Sequence, residues 1–144
     1  MSAERLYTPE LLALAVELAG YPQLDAASCA AEARSPACGS TLAMQLMLAP
    51  DGRIERVGMR VRACAVGQAA AAIFARHAAG WSAKQIDAAL ADIELWLSDD
   101  EADLPDWPDL PLIAAARGFP GRHGAMLLPW KAAVAALSNT PGAR

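Results

Sequence analysis

The sequence contains little of what several large functional classes require. It has three cysteines in 144 residues, an odd number that argues against a disulfide scaffold. Its formal charge is −4 and its Lys and Arg residues form no cluster, so we expect no nucleic-acid partner. No segment approaches the run of about 20 apolar residues that a membrane helix needs, and residues 1–5 do not begin a signal peptide. These absences favour a cytoplasmic protein that does not contact a membrane.

Motifs of the common enzyme classes are also missing. There is no Ser/His/Asp arrangement, no Gly-rich phosphate loop and no pair of carboxylates on one helix face. We therefore expect that the protein is not an enzyme.

The apolar fraction, 55%, is large enough to form a sizeable core in one domain. We expect this domain to span residues 1–144, with a frayed tail from 139 to 144. Alternating apolar residues on both sides of a Pro50-Asp51-Gly52 turn predict a hairpin within residues 42–62. A further strand is expected at residues 29–34. The predicted class is α+β, with a small three-stranded antiparallel sheet.

Helical patterns occur before and after the predicted sheet. Thr8 and Pro9 are typical of a helix start, and Gly20 of its end. After the sheet, a helical layer is expected to pack on one of its faces. Its predicted segments are residues 68–78, 82–97 and 110–117, and a last helix that begins at Ala125 or near Pro129 and ends at 137. Residues 98–109 contain six Asp or Glu and should form a solvated acidic loop.

Two cysteines are the most informative residues of the chain. Cys38 follows a Pro-containing turn before the hairpin, and Cys64 follows the hairpin. Both should therefore reach the same end of the sheet, where they could share a metal ion or pass sulfur. Cys64 is expected to point away from the core. Its arginine neighbours and the start of the next helix would favour its thiolate.

Three phrases in this order resemble the NifU/IscU/SufU family of iron–sulfur cluster assembly scaffolds over roughly residues 7–137. The first is Pro36-Ala37-Cys38-Gly39, which matches a family phrase that continues with Asp, where this chain has Ser40. The second is ACAVGQAA at residues 63–70, which keeps the cysteine of a Gly-Cys-x-Ile-Ser phrase. The third is PGRHGAMLLPW at residues 120–130, where the third cysteine of the family falls on Ala125.

The resemblance implies a set of candidate ligands for iron, an iron–sulfur cluster or zinc. Cys38 and Cys64 match two family cysteines, and the remaining positions of a four-ligand set would have to be filled by other groups. His123 lies two residues before the missing cysteine and is a possible replacement, as is the more distant Cys29. Arg122 resembles a family arginine beside the site, and Ser40 is a poor ligand in place of Asp.

Three functions remain open from the sequence. The first is a scaffold-like protein that binds a metal or cluster through Cys38 and Cys64, with a cysteine desulfurase and apo-protein acceptors as partners. A homodimer could complete the ligand set of such a site. The second is a degenerate scaffold that acts as a protein-interaction module. The third is a thiol that accepts a persulfide from the desulfurase without holding a cluster.

Overall fold

A three-stranded antiparallel sheet forms one layer of the fold. The computed structural model describes residues 6–139, and its strands are β1 (Cys29–Ser35), β2 (Ser40–Leu48) and β3 (Ile54–Arg62), in the order β1-β2-β3. Both neighbouring pairs are antiparallel. The predicted hairpin and the additional first strand are thus both present.

The apolar alternation of β2 explains which face of the sheet is buried. Leu42, Met44 and Leu46 have no exposed surface, while Thr41, Ala43 and Gln45 between them are half-buried on the other face. Because successive side chains of a strand point to opposite faces, a helical layer can cover only the leucine and methionine side. Among the helices of residues 6–139, none packs on the opposite face of the sheet.

Four helices whose bounds lie within residues 6–139 make up the second layer. They are α1 (Pro9–Glu17), α2 (Ala65–His77), α3 (Ala83–Ser98) and α4 (His123–Ser138). Helix α4 packs on β1 and β2 and contacts α2 and α3, whereas α1 packs on α2. The predicted α+β class, with helices on one face of a three-stranded sheet, is confirmed. Short 3₁₀ segments lie at Leu18–Gly20, Leu110–Gly118 and Pro120–Arg122.

The last helix begins earlier than either predicted start. It begins at His123 and continues through Pro129, although proline cannot donate the bond that the carbonyl of Ala125 would accept. Pro129 lies in a fully buried stretch that includes Met126, Leu128 and Trp130. Burial of these large side chains in the core offsets the cost of the proline, and this tertiary contribution is not visible in the local pattern.

The acidic loop is anchored to the core, which corrects the prediction that it is entirely solvated. Trp107 is buried, stacks on Phe74 with ring centroids 5.3 Å apart, and donates its Nε1–H to the carbonyl of Ile73. Arg117 donates hydrogen bonds to the carbonyls of Trp96 and Asp99. The carboxylates at positions 99–106 remain exposed. Trp107 and Arg117 therefore fix a segment whose charges stay in water.

A charged cluster ties the end of this loop to α1 and α2. Arg76 pairs with Glu17 at 2.6 Å and with Asp109 at 3.0 Å, and His77 Nε2 lies 2.7 Å from the same Asp109 carboxylate. The hydrogen bond from Arg76 lowers the pKa of Glu17. Hydrogen bonds from His77 and then Arg76 lower the pKa of Asp109. Both carboxylates therefore stabilise the fold in their ionised form.

Within residues 6–139, no helix is both long enough and apolar enough to cross a membrane. The tail expected to fray falls outside the described residues except for Asn139.

Candidate functional site

The two family-like cysteines lie at the same end of the sheet. Cys38 sits in the tight turn between β1 and β2, where Gly39 has a φ of 72° and donates its backbone N–H to the carbonyl of Ser35. Cys64 follows β3 and is the N-cap residue of α2. Ser35 pairs with Ser40 and Thr41 pairs with Arg62, so the β1–β2 turn and the end of β3 are neighbours.

Cys38 is an exposed thiol supported by two buried hydroxyl groups. Its Sγ lies 3.0 Å from Oγ of Ser40 and 3.4 Å from Oγ of Ser35. These serines are only 5% and 4% exposed, so the surrounding fold holds their hydroxyl groups beside the sulfur. When the thiol ionises, both hydroxyls can donate to the thiolate.

This environment makes Cys38 more acidic than an ordinary cysteine. The hydrogen bond with Ser35 is the main cause of the lowered pKa of the Cys38 thiol, followed by the hydrogen bond with Ser40. The backbone of Ser40 and the positive charge of Arg122 lower it further. Because the thiolate is the nucleophile, Cys38 has the properties of a reactive thiol.

The first turn of α4 lies between the two cysteines. Gly124 packs so closely on Ser35 that a Cβ atom at position 124 would overlap the serine hydroxyl. On the other side, a Cβ atom added to Gly67 would lie 3.2 Å from Cβ of Ala125 and 2.7 Å from Cβ of Ala63. Position 125 is thus beside the segment that carries Cys64. Position 125, where the resemblance places a third cysteine, therefore lies at this end of the sheet, but Ala125 is 0% exposed and offers no donor.

Cys64 does not point fully away from the core, which corrects the expectation from strand alternation. The strand ends at Arg62, so the alternation of faces does not continue to residue 64. The Cys64 side chain is half-buried and packs against the hydrophobic core. It makes no capping hydrogen bond to α2.

The other predicted residues are placed as follows. His123 uses Nε2 in a 2.7 Å hydrogen bond with the carbonyl of Arg117, so this nitrogen is engaged with the backbone. Arg122 is close enough to lower the pKa of Cys38, and its Nη2 lies 3.4 Å from the hydroxyl of Tyr7. Ser40 is a hydrogen-bond partner of the Cys38 sulfur.

Cys29 is far from this site. It begins β1 and pairs with Leu46, whereas the Cys38 turn follows the other end of the same strand. At about 3.3 Å per residue, six residues of strand separate Cys29 from Ser35 by about 20 Å. Cys29 is 7% exposed and belongs to the core. The fold therefore does not bring Cys29 to the other two cysteines.

The donor set does not fit a four-ligand metal or cluster site within one copy of the chain. Among residues 6–139 no group of three or more His, Cys, Asp and Glu side chains is arranged to hold a metal ion. A structural zinc site or an iron–sulfur cluster takes four ligands. Two thiols are available here, and the remaining positions carry Ser40 and Ala125.

Ser35 contacts the Cys38 sulfur and was not among the candidate residues predicted from the sequence. It is the last residue of β1 and precedes Pro36, and a Ser or Thr flanking a turn that carries a cysteine is a weak signal. Only the pairing of Ser35 with Ser40 shows that both hydroxyl groups face the same sulfur atom.

The arrangement of a three-stranded sheet with helices on one face is shared with solved structures of other proteins. The crystal structure of the N-terminal part of a nitrogen-fixing NifU-like protein from Brucella abortus is 26% identical, with a TM-score of 0.83 and 94% of both chains covered.

A second similar structure comes from the thermophile Fervidobacterium islandicum and is described as an iron–sulfur cluster assembly scaffold protein for the SUF system. It is 17% identical, with a TM-score of 0.80, and the comparison covers 94% of this chain and 99% of that one. No family model matches the chain, and no curated protein does. The predicted resemblance to the NifU/IscU/SufU-like family is confirmed.

Proposed function

We propose that this protein serves iron–sulfur cluster assembly as a sulfur-accepting protein, with Cys38 as the acceptor. The observation that carries the proposal is the exposed Cys38 thiol between two buried serine hydroxyls, which lower its pKa together with Arg122. Two similar structures suggest the process in which this protein acts. One belongs to a NifU-like protein, and the other, from Fervidobacterium islandicum, is described as a scaffold protein for iron–sulfur cluster assembly.

The chemistry is a sulfur transfer that needs no added oxidant. A cysteine desulfurase carries the sulfur of free cysteine as a persulfide on its own cysteine. The Cys38 thiolate attacks the outer sulfur of that persulfide, a new S–S bond forms at Cys38, and the desulfurase thiolate leaves. Ser35 and Ser40 stabilise the attacking thiolate, and Arg122 favours the anionic persulfide product. Free thiols of this kind persist in a reducing compartment, so we place the function in the cytoplasm.

Transfer of labelled sulfur tests the proposal. Purified desulfurase and sulfur-labelled cysteine are mixed with the protein, and label on the protein is measured without reductant. We expect label on the wild type and on Cys64→Ser, and none on Cys38→Ser. Cys29→Ser is the matched control because its thiol is buried away from the site. Label that persists on Cys38→Ser, or a wild type that takes up none, would contradict the assignment.

A second candidate is metal or cluster binding shared between two copies. Cys38 and Cys64 lie at one end of the sheet and neither is fully buried, so two copies facing each other would supply four thiolates. Iron, an iron–sulfur cluster and zinc are the candidate occupants. Elemental analysis and size measurement on anaerobically purified protein test this: stoichiometric metal in a dimer, lost in Cys38→Ser/Cys64→Ser, supports it. Metal-free monomer contradicts it.

The hypothesis of a degenerate scaffold predicts a different outcome of the sulfur-transfer experiment. If the chain acts only as an interaction module, Cys38→Ser/Cys64→Ser should still bind the desulfurase. Neither the wild type nor any variant should then take up labelled sulfur. Binding of the double variant can be measured by titration calorimetry.

A further inference from the structure

The face of the sheet opposite the helices is divided into two halves by a segment of the same chain. The segment that joins α1 to β1 crosses this face: the N–H of Met59 donates to the carbonyl of Tyr21, and the N–H of Leu24 donates to the side chain of Gln45. Pro22 and Leu24 also cover Gly58. No segment within residues 6–139 crosses the half of the face near Cys38 and Cys64.

The uncovered half carries three exposed arginines. The register aligns Arg34, Thr41 and Arg62 in one row across the strands, and Glu32, Ala43 and Arg60 in the next row. Thr41 and Ala43 form the floor of a shallow groove of about 350 Å³, which Arg60, Arg62 and Glu32 border. We call these six residues the arginine face.

The charge of the arginine face is unbalanced. Three guanidinium groups and one carboxylate give it an excess of two positive charges, on a chain whose net charge is −4. Among residues 6–139, the ion pairs involve other residues, and none joins Glu32 to Arg60. Arginines that form no ion pair are available to bind planar anionic groups, because their forked donors match a carboxylate.

We propose that the arginine face binds an extended acidic segment of a partner protein. Arg60 and Arg62 are two residues apart on one strand, which places them about 6.6 Å apart. Acidic residues at alternate positions of an extended peptide have this same spacing, so one face of such a peptide can meet both arginines. The crossing segment shows that main chain can lie on this face, since the N–H of Leu24 bonds to Gln45 in the row next to the groove.

Charge and shape favour an acidic peptide over nucleic acid. The face is small, contains Glu32, and belongs to an acidic chain that would repel a long polyphosphate. A short acidic peptide, unlike a long polyphosphate, can place its carboxylates beside the arginines alone. The proposal is independent of sulfur transfer, because none of the six residues contacts the Cys38 sulfur.

Fluorescence anisotropy with a labelled peptide of alternating Glu and Ala tests this inference at low salt. We expect Arg60→Glu/Arg62→Glu to weaken binding about tenfold or more, since two contacts become repulsive. Arg56→Glu is the matched control: it lies on the same face of the same strand, beyond the crossing segment, and should bind as the wild type does. Glu32→Gln should tighten binding by about two- to fivefold.

The outcomes separate the alternatives. Binding that weakens with salt and depends on Arg60 and Arg62 but not on Arg56 supports the inference. No binding by the wild type at low salt, or equal loss in Arg56→Glu, overturns it. Equal binding of a single-stranded oligonucleotide of the same charge also overturns it, because the face would then be a general polyanion site. Circular dichroism shows whether each variant is folded.

Discussion

Replacing Gly124 with Ala tests how the first turn of α4 sets the environment of Cys38. A Cβ atom at this position would overlap Oγ of Ser35 and would lie 3.1 Å from its Cβ, so Ser35 must rotate or α4 must shift. Either change moves the Ser35 hydroxyl away from the Cys38 sulfur. The pKa of Cys38 should rise toward its ordinary value, because this hydrogen bond is the main cause of its lowering.

The expected cost in stability comes from two opposing effects. Overpacking a buried contact costs about 1–3 kcal/mol, and replacing glycine by alanine in a helix returns about 1 kcal/mol. The net loss is about 0–2 kcal/mol, which corresponds to a Tm lower by up to about 8 °C for a chain of this size. Gly121→Ala is the control, since a Cβ atom there meets nothing within 4 Å.

Two assays together check this prediction. Thermal unfolding gives the change in Tm, and alkylation of Cys38 across pH, resolved by peptide mass spectrometry, gives its titration curve. We expect the Gly124→Ala curve to move to higher pH and the Gly121→Ala curve to stay. Adding Ser35→Ala to Gly124→Ala should recover stability without restoring the reactivity of Cys38. A Gly124→Ala variant with unchanged titration would refute the role assigned to Ser35.

Three further predictions follow from the packing and the charges. Trp107→Ala should cost about 3–5 kcal/mol by denaturant unfolding, because it removes a buried aromatic ring, whereas exposed Leu104→Ala should change stability by less than about 0.5 kcal/mol. Arg76→Ala should cost about 1 kcal/mol at neutral pH after solvent screening. Its carboxylate partners have lowered pKa values, so this difference should shrink as pH falls below their ordinary values of 4.5 and 3.8; a difference that is independent of pH would contradict the pairing. Ala125→Cys with Ser40→Asp should create a site that binds stoichiometric zinc by elemental analysis, and a metal-free double variant would contradict the placement of position 125.

Much of the fold was accessible from the sequence because its signals are local. The alternation through Leu42, Met44 and Leu46 identified β2 and its buried face, and Thr8 followed by Pro9 marked the start of α1. The start of α4 was not accessible, because burial of its side chains overrides the local effect of Pro129. Trp107 was missed for a similar reason: its burial depends on Phe74 and Trp130, which come from two distant helices.

The candidate site was partly predictable. The sequence alone predicted that Cys38 and Cys64 lie at one end of the sheet, because the two ends of a hairpin are neighbours. It could not show that Ser35 and Ser40 flank one sulfur, which depends on the pairing of β1 with β2. Nor could it show that Cys29 lies at the opposite end of the sheet, because strand direction and length decide that distance.

We propose that Cys38 is the thiol that receives sulfur from the desulfurase. The most direct measurement is peptide mapping by mass spectrometry of protein from cells in which it is produced with its desulfurase, alkylated at once under anaerobic conditions. We expect an added sulfur atom on the peptide that contains Cys38, and none on the peptides that contain Cys29 or Cys64. Persulfide found on Cys64 alone, or on no cysteine while the desulfurase is active, would contradict it.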